Sequence, residues 1–282
     1  MLITPCKGES ESVEILVCIK QVPETNQVEV DPKTGVLKRG GIASKMNPYD
    51  LYALETALRL RASYGGSVSV ISMGPPQALG IIREAFAMGA DRGMLLTDRR
   101  FGGADVLATS YTLSQGIAKA GTFDLILCGK QTTDGDTAQV GPEIAEYLNI
   151  PSLANVTSIL TADDEAITVH ADMGGDVEEA RVLFPCLLSV EKDIYQPRLP
   201  SFVRKQATKE IPIEMISLDD LDDQDETHYG LTGSPTQVQR IFPPESHVHQ
   251  EIWHGGGQEL AQRLYDMLQK QKLLPHKKGG DR

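Results

Sequence analysis

Of this 282-residue sequence, the stretch best equipped for chemistry is Gly129-Lys130-Gln131-Thr132-Thr133-Asp134-Gly135-Asp136-Thr137-Ala138-Gln139-Val140-Gly141-Pro142. It follows an apolar run, Phe123–Cys128, and leads into a helical pattern over 138–148. Loops in α/β units usually span roughly 2–6 residues, and longer ones tend to be functional. Gly and small residues let backbone approach a ligand closely. The N–H groups at a helix start suit a phosphate. Three further segments end apolar runs in a similar way: Lys20-Gln21-Val22-Pro23, Ser72-Met73-Gly74-Pro75 and Phe101-Gly102-Gly103-Ala104-Asp105. The last of these, Gly103-Ala104-Asp105, opens a helical pattern and is a second candidate anion site.

Other chemistries lack their residues. There is no G-x-x-x-x-G-K-[ST] for a P-loop and no G-x-G-x-x-G after the first strand for a standard dinucleotide fold. No G-x-S-x-G elbow appears, and no carboxylate pair stands out as an acid/base dyad. A phosphate-binding site without nucleophile or base points to a cofactor that carries the chemistry, or to simple nucleotide binding.

These segments need strands that stop beside one another. Val13–Lys20, Ser67–Met73, Gly93–Thr97 and Phe123–Cys128 are short apolar runs that read as buried strands. Helical patterns follow at Pro48–Ala62, with Asn47 as N-cap, and at Pro75–Met88, Ala104–Ala120 and 138–148. The alternation predicts an α/β fold with a doubly wound, mostly parallel sheet covered on both faces. In such sheets ligands bind beyond the carboxyl ends of the strands. Gln27–Arg39 reads as an excursion hairpin. Asn155–Leu160, Ala166–Asp172 and Ala180–Phe184 read as an antiparallel excursion, and Pro185–Val190 as a return to the core. Residues 1–200 are expected to form the nucleotide-binding core. Residues 201–282 are polar and Pro-punctuated, with an acidic block at Asp219–Glu226 and an amphipathic helix at Gln258–Leu274, and read as an extended C-terminal arm lying on another surface.

Composition narrows the partners. A net charge of −12 disfavours nucleic acid. No apolar run approaches ~18 residues, so no membrane insertion is expected. The first dozen residues lack a secretory pattern. Four widely spaced cysteines without C-x-x-C argue for a reducing, cytoplasmic setting and against a metal site.

Five ordered motifs carry a resemblance. They are Val17-Cys18-Ile19-Lys20-Gln21-Val22-Pro23, Met46-Asn47-Pro48-Tyr49-Asp50, Ser72-Met73-Gly74-Pro75, Ala87-Met88-Gly89-Ala90-Asp91 and Gly129-Lys130-Gln131. Together they resemble the beta subunit of electron transfer flavoproteins over roughly residues 14–198. Ala171 stands where the family commonly has a basic residue. The resemblance implies a Rossmann-like core paired with an alpha subunit that carries FAD. Carrier members hold AMP at the beta-subunit site. Electron-bifurcating members hold a second FAD there, which takes hydride from NADH. Electrons then divide between ferredoxin or flavodoxin and the alpha-subunit FAD, which feeds a flavin-dependent dehydrogenase. Gly135 and Ala138 in the long loop, and Gly230-Leu231-x-Gly233-Ser234-Pro235-Thr236 in the arm, resemble the bifurcating group.

Carried over by position, the cofactor contacts are Cys18, Asn47, Pro48, Tyr49, Asp50, Met73 and residues Gly129, Lys130, Gln131, Thr132, Thr133, Asp134, Gly135, Asp136, Thr137, Ala138, Gln139 and Val140. Backbone at Cys18 and Met73 would receive adenine. The amides of Asp136, Thr137, Ala138 and Gln139, with the Thr137 hydroxyl, would hold the diphosphate. Asp134 and Asp136 would repel phosphate, and Asp136 suits a helix N-cap. No catalytic side chain is implied. Ile194, Tyr195, Pro197 and Arg198 match the segment that docks onto an electron donor, with Ile194 as apolar anchor. The C-terminal helix is expected on the alpha subunit.

Overall fold

A computed structural model describes residues 13–24, 44–239 and 251–274. The hairpin expected over Gln27–Arg39 lies outside them. In chain order the elements are β1 (Glu14–Cys18), β2 (Gln21–Pro23), β3 (Ser44–Met46), α1 (Pro48–Tyr64), β4 (Ser67–Met73), α2 (Leu79–Met88), β5 (Arg92–Leu96), α3 (Val106–Ala120), β6 (Leu125–Gly129), α4 (Val140–Leu148), β7 (Ser152–Ala162), β8 (Ala166–Asp172), β9 (Val177–Leu183), β10 (Cys186–Val190), α5 (Phe202–Ala207), β11 (Ile213–Ile216) and α6 (Gly257–Lys270).

The main sheet runs β11-β5-β4-β1-β6-β10-β7-β8-β9. From β11 to β7 every pairing is parallel, and β8 and β9 add antiparallel at one edge. Successive strand residues point to opposite faces, and the core divides accordingly. Ile15, Val17, Leu125 and Leu127 pack with α1 and α2 on one face. Leu16, Cys18, Ile126 and Cys128 pack with α3 and α4 on the other. Strands buried on both faces read as continuous apolar runs, which is why β1, β4 and β6 stand out in the sequence.

The winding places the site. From β1 the chain steps outward through β4 and β5, then returns to lay β6 against the opposite side of β1. The order reverses between β1 and β6, where Cys18 pairs in register with Cys128. Loops leaving those two strand ends must diverge, opening a crevice at the switch point.

The arm expected from residue 201 onward is not wholly separate. The chain divides into two compact units, residues 1–240 and 241–282. In the first, β11 extends the sheet beside β5, and Arg83 Nη1 donates to the carbonyls of Thr208 and Ile211 at 3.1 and 2.6 Å. The acidic block meets its own core: Arg100 binds Asp98, Asp219 and Glu226, and Asp223 accepts from Tyr111 and bonds His228. Tyr229 is 1 % exposed and stacks near Phe101 and Tyr111. In the second unit α6 starts with Gly256 as N-cap, and Arg263 lies 4.6 Å over the Trp253 ring. No helix among the described residues is long and apolar enough to cross a membrane.

Candidate functional site

A cleft of about 630 Å³ opens at the switch point, lined by the ends of β1, β4 and β6, the 129–141 loop and the start of α3. That size suits a small-molecule ligand. Of the residues singled out from sequence, Cys18, Asp50, Met73, Gly103, Ala104, Asp105, Gly129, Lys130, Gln131, Thr132, Gly135, Thr137, Ala138, Gln139 and Val140 line it. Asn47, Pro48, Tyr49, Thr133, Asp134 and Asp136 stand outside that lining.

The long loop is built to present backbone. Asp136 and Ala138 have φ of 54° and 56°, a left-handed conformation uncommon for non-glycine residues and concentrated at functional sites. The Asp136 amide donates to the Thr132 carbonyl at 3.0 Å, so it is not free for a ligand. The expected cap at Asp136 is overturned: α4 begins at Val140 with Gln139 in the N-cap position, and no side chain caps it. The left-handed turns at 136 and 138 carry Asp136 too far from the first helical amides. Among the described residues, the amides of Thr137, Ala138, Gln139, Val140 and Gly141 have no hydrogen-bond partner. Unpaired amides at a helix N-terminus are a ready-made anion site.

Asn47 and Asp50 support this loop from below. Asn47 stands at the N-cap of α1 as expected, but its side chain makes no cap bond. It is fully buried and bridges elsewhere. Its Nδ2 donates to Asp50 Oδ1 and to the Gln131 carbonyl, both at 2.9 Å, and its Oδ1 accepts from the Thr133 amide at 3.3 Å. Asp50 Oδ2 accepts from the Lys20 amide at 2.7 Å, and the Gly129 amide adds a third donor. One carboxyl thus ties the ends of β1 and β6 together. A Cβ at Gly129 would lie 2.6 Å from Asp50 Oδ1, so only glycine fits there. Burial pushes the Asp50 carboxyl up to about 7, against the pull of Asn47 and the Lys20 amide.

The start of α3 is capped by its own carboxylate. Asp105 Oδ1 accepts from the Ala108 amide at 3.1 Å, capping its own helix. Its Oδ2 accepts from the Thr236 amide and hydroxyl at 3.0 and 2.7 Å, and its own amide donates to Ser234 Oγ at 2.8 Å. Gly103, Ala104 and Asp105 line the cleft as expected, and the Asp105 carboxylate, besides taking the Ala108 amide, serves as a clasp. The clasp holds residues 230–236 against α3. Gly230 permits the approach: its φ is +53° and a Cβ would stand 2.0 Å from the Arg100 carbonyl. Val238, just beyond, lines the cleft.

Several lining residues were not anticipated. Thr109 and Leu113 follow Asp105 at four-residue intervals, a helix-face signal that was available. Cys128 pairs with Cys18; that neighbour's hydrogen bond and burial both hold its thiol well above the ordinary value, so it stays protonated and unreactive. Nothing in the local sequence marks Val238.

The expected docking residues are tied to the core. Ile194 and Tyr195 are half-buried against it, and Arg59 lies 4.6 Å over the Tyr195 ring. Arg198 Nε donates to Glu55 Oε2 at 2.7 Å, where Glu55 is 3 % exposed. Pro197 is half-buried. The apolar side chains that stay open to solvent nearby are Leu199, Phe202 and Val203.

Comparison with known proteins agrees with this architecture. Residues 34–221 match the electron transfer flavoprotein domain. The electron transfer flavoprotein subunit beta of Thermoanaerobacterium thermosaccharolyticum is 44 % identical over 263 residues, 93 % of this chain and 100 % of that protein. The caffeyl-CoA reductase-Etf complex subunit CarD of Acetobacterium woodii is 44 % identical over 264 residues, again 93 % and 100 %. Protein FixA of Bradyrhizobium diazoefficiens is 40 % identical over 259 residues, 90 % of each chain. With its parallel sheet, its switch-point cleft and these relatives, the chain belongs to the electron transfer flavoprotein family, among the beta subunits.

Proposed function

We propose that the chain pairs with an alpha subunit and that its cleft holds an FAD used in NADH-dependent electron bifurcation. The observation that carries this reading is the run of unpartnered amides from Thr137 to Gly141 beside the cleft. They supply several N–H donors to a diphosphate and demand no cation of their own. A bound flavin would supply hydride acceptance and one-electron release. The chain's own part is to bind and orient. The backbone of Cys18 and Met73, at the ends of β1 and β4, receives the adenine. Gly129 and Asp50 keep the switch point open, and the Asp105 clasp walls the far side. Gly135 and Ala138 leave space at the loop where larger residues would intrude. One relative's name places it in a complex with a reductase, which supports a flavin-dependent partner here, with ferredoxin or flavodoxin as second acceptor and a cytoplasmic setting.

The test is to denature the purified heterodimer and identify what it releases. Two FAD per heterodimer is the expected result. One FAD with one AMP would refute bifurcation and leave a carrier with AMP in the same cleft. Release of no nucleotide beyond the alpha-subunit FAD would refute the nucleotide site itself.

A further inference from the structure

Two lysines line this cleft, Lys20 and Lys130, and the ammonium of each is engaged by a carboxylate. The two pairs are built differently. Lys130 binds Glu191, and both backbones are pinned to the sheet: the Lys130 amide donates to Val190 O and the Glu191 amide to Val156 O, each at 2.9 Å. Their side chains are 30 % and 17 % exposed. Lys20 Nζ donates to both oxygens of Asp134, at 2.8 and 3.0 Å, across 114 residues of chain. Those side chains are 45 % and 34 % exposed. Burial would pull the Asp134 carboxyl up, but the Lys20 hydrogen bond holds it below its usual value, so it is ionised at neutral pH.

The Lys20 backbone is fixed, since its amide is held by Asp50; its side chain is half-exposed and, among the described residues, held by Asp134 alone. Asp134 belongs to the same loop that offers the free amides at 137–141, yet is not part of the lining. An exposed ion pair contributes little and opens easily. A charge-assisted bond from the same ammonium to phosphate, reinforced by the neighbouring amides, is stronger.

We propose that Asp134 is an internal competitor for Lys20: it holds the ammonium while the cleft is free of nucleotide, and an entering phosphate takes the ammonium from it. The pair therefore sets phosphate affinity and keeps weakly bound anions out. This rests on the nucleotide reading above. The opposite role for the pair is a clamp that orders the loop, and it makes opposite predictions.

The experiment titrates AMP and, separately, FAD into the nucleotide-stripped heterodimer containing the full chain, by calorimetry. Asp134→Asn is expected to tighten binding about three- to tenfold by releasing Lys20. Lys20→Gln is expected to weaken it about tenfold or more. In the double variant the Asp134→Asn gain should largely vanish, because it acts through Lys20. Weaker binding in Asp134→Asn, or a variant that no longer assembles, would overturn the competition in favour of a clamp; unchanged binding, or a gain that persists in full without Lys20, would overturn it by showing that Asp134 does not act through Lys20. If the unmodified protein takes up neither AMP nor FAD, the nucleotide reading itself falls, and that result is distinct from the others.

Discussion

Replacing Asp50 by Asn probes the switch point directly. Asp50 is 5 % exposed and accepts from Asn47, from the Lys20 amide and from the Gly129 amide. In the unfolded chain its carboxyl ionises near 3.8, and in the folded protein near about 7. Below the lower value both states carry the proton and the group adds no slope. Between the two values the folded state keeps a proton the unfolded chain has lost. Stability contributed by the protonated group is therefore lost as pH rises toward 7, by up to ~1.4 kcal/mol per pH unit. Across the whole window the loss approaches about 4 kcal/mol, an order-of-magnitude figure. Asn cannot ionise, so the variant lacks this slope. It also turns an N–H₂ toward backbone donors, which costs about 1–3 kcal/mol at every pH. The variant should be less stable than the parent at pH 5 and recover about 2–3 kcal/mol relative to it by pH 7.5. Urea denaturation of the full-length protein at half-unit steps from pH 4.5 to 8 measures the difference. A constant gap between the two curves would refute the reasoning and mean that Asp50 is ionised in the folded protein throughout.

Three further outcomes follow from the geometry. Ala138→Arg should abolish nucleotide uptake while circular dichroism stays unchanged, whereas Ala138→Gly should stabilise the chain by about 1 kcal/mol by relieving its left-handed backbone; retained nucleotide in Ala138→Arg would show the site is elsewhere. Asp105→Ala should cost about 1–2 kcal/mol from the lost cap and, through the broken clasp to Ser234 and Thr236, speed proteolysis within 230–239; unchanged cleavage kinetics would disprove the clasp. Arg198→Ala should lower the thermal midpoint, by about 2 kcal/mol of stability, because Glu55 is left with Arg59 alone. A variant that keeps its midpoint but loses affinity for an electron-transfer partner would instead assign Arg198 to docking.

The parallel core was legible because its strands are buried on both faces and punctuated by Gly and Pro. The carboxyl ends of the strands followed as the candidate site from β–α alternation, whereas the reversal of order between β1 and β6 did not. β11 was not legible. Its four residues, Ile213-Glu214-Met215-Ile216, carry too little pattern, and their partner β5 lies more than a hundred residues earlier. The arm's core residues, Leu218, Leu221 and Tyr229, are scattered among acids, so local hydrophobicity understates how firmly the segment is held. Within the site, residue type misled where a side chain turned away from its own helix. Asn47 reads as a cap and stands there, yet its side chain serves the loop at 131–133. Asp50, carried over as a cofactor contact, lines the cleft and is also a buried tie between strand ends. The bond of Asp134 to Lys20, so distant in the chain, leaves no local trace.

The order in which the wall of the cleft is made has a consequence for biosynthesis. A chain leaves the ribosome N-terminus first, at about 5–20 residues per second. The strand ends and the amide loop are complete once β10 has emerged, yet β11, the Asp105 partners Ser234 and Thr236, and Val238 come later. A nascent chain stopped near residue 200 would own a formed switch point with one side of the cleft missing and the β5 edge unpaired. The clasp and Val238 are thus the last parts of the cleft wall to be made. The bare β5 edge in the interval is the surface on which two unfinished chains would most readily pair.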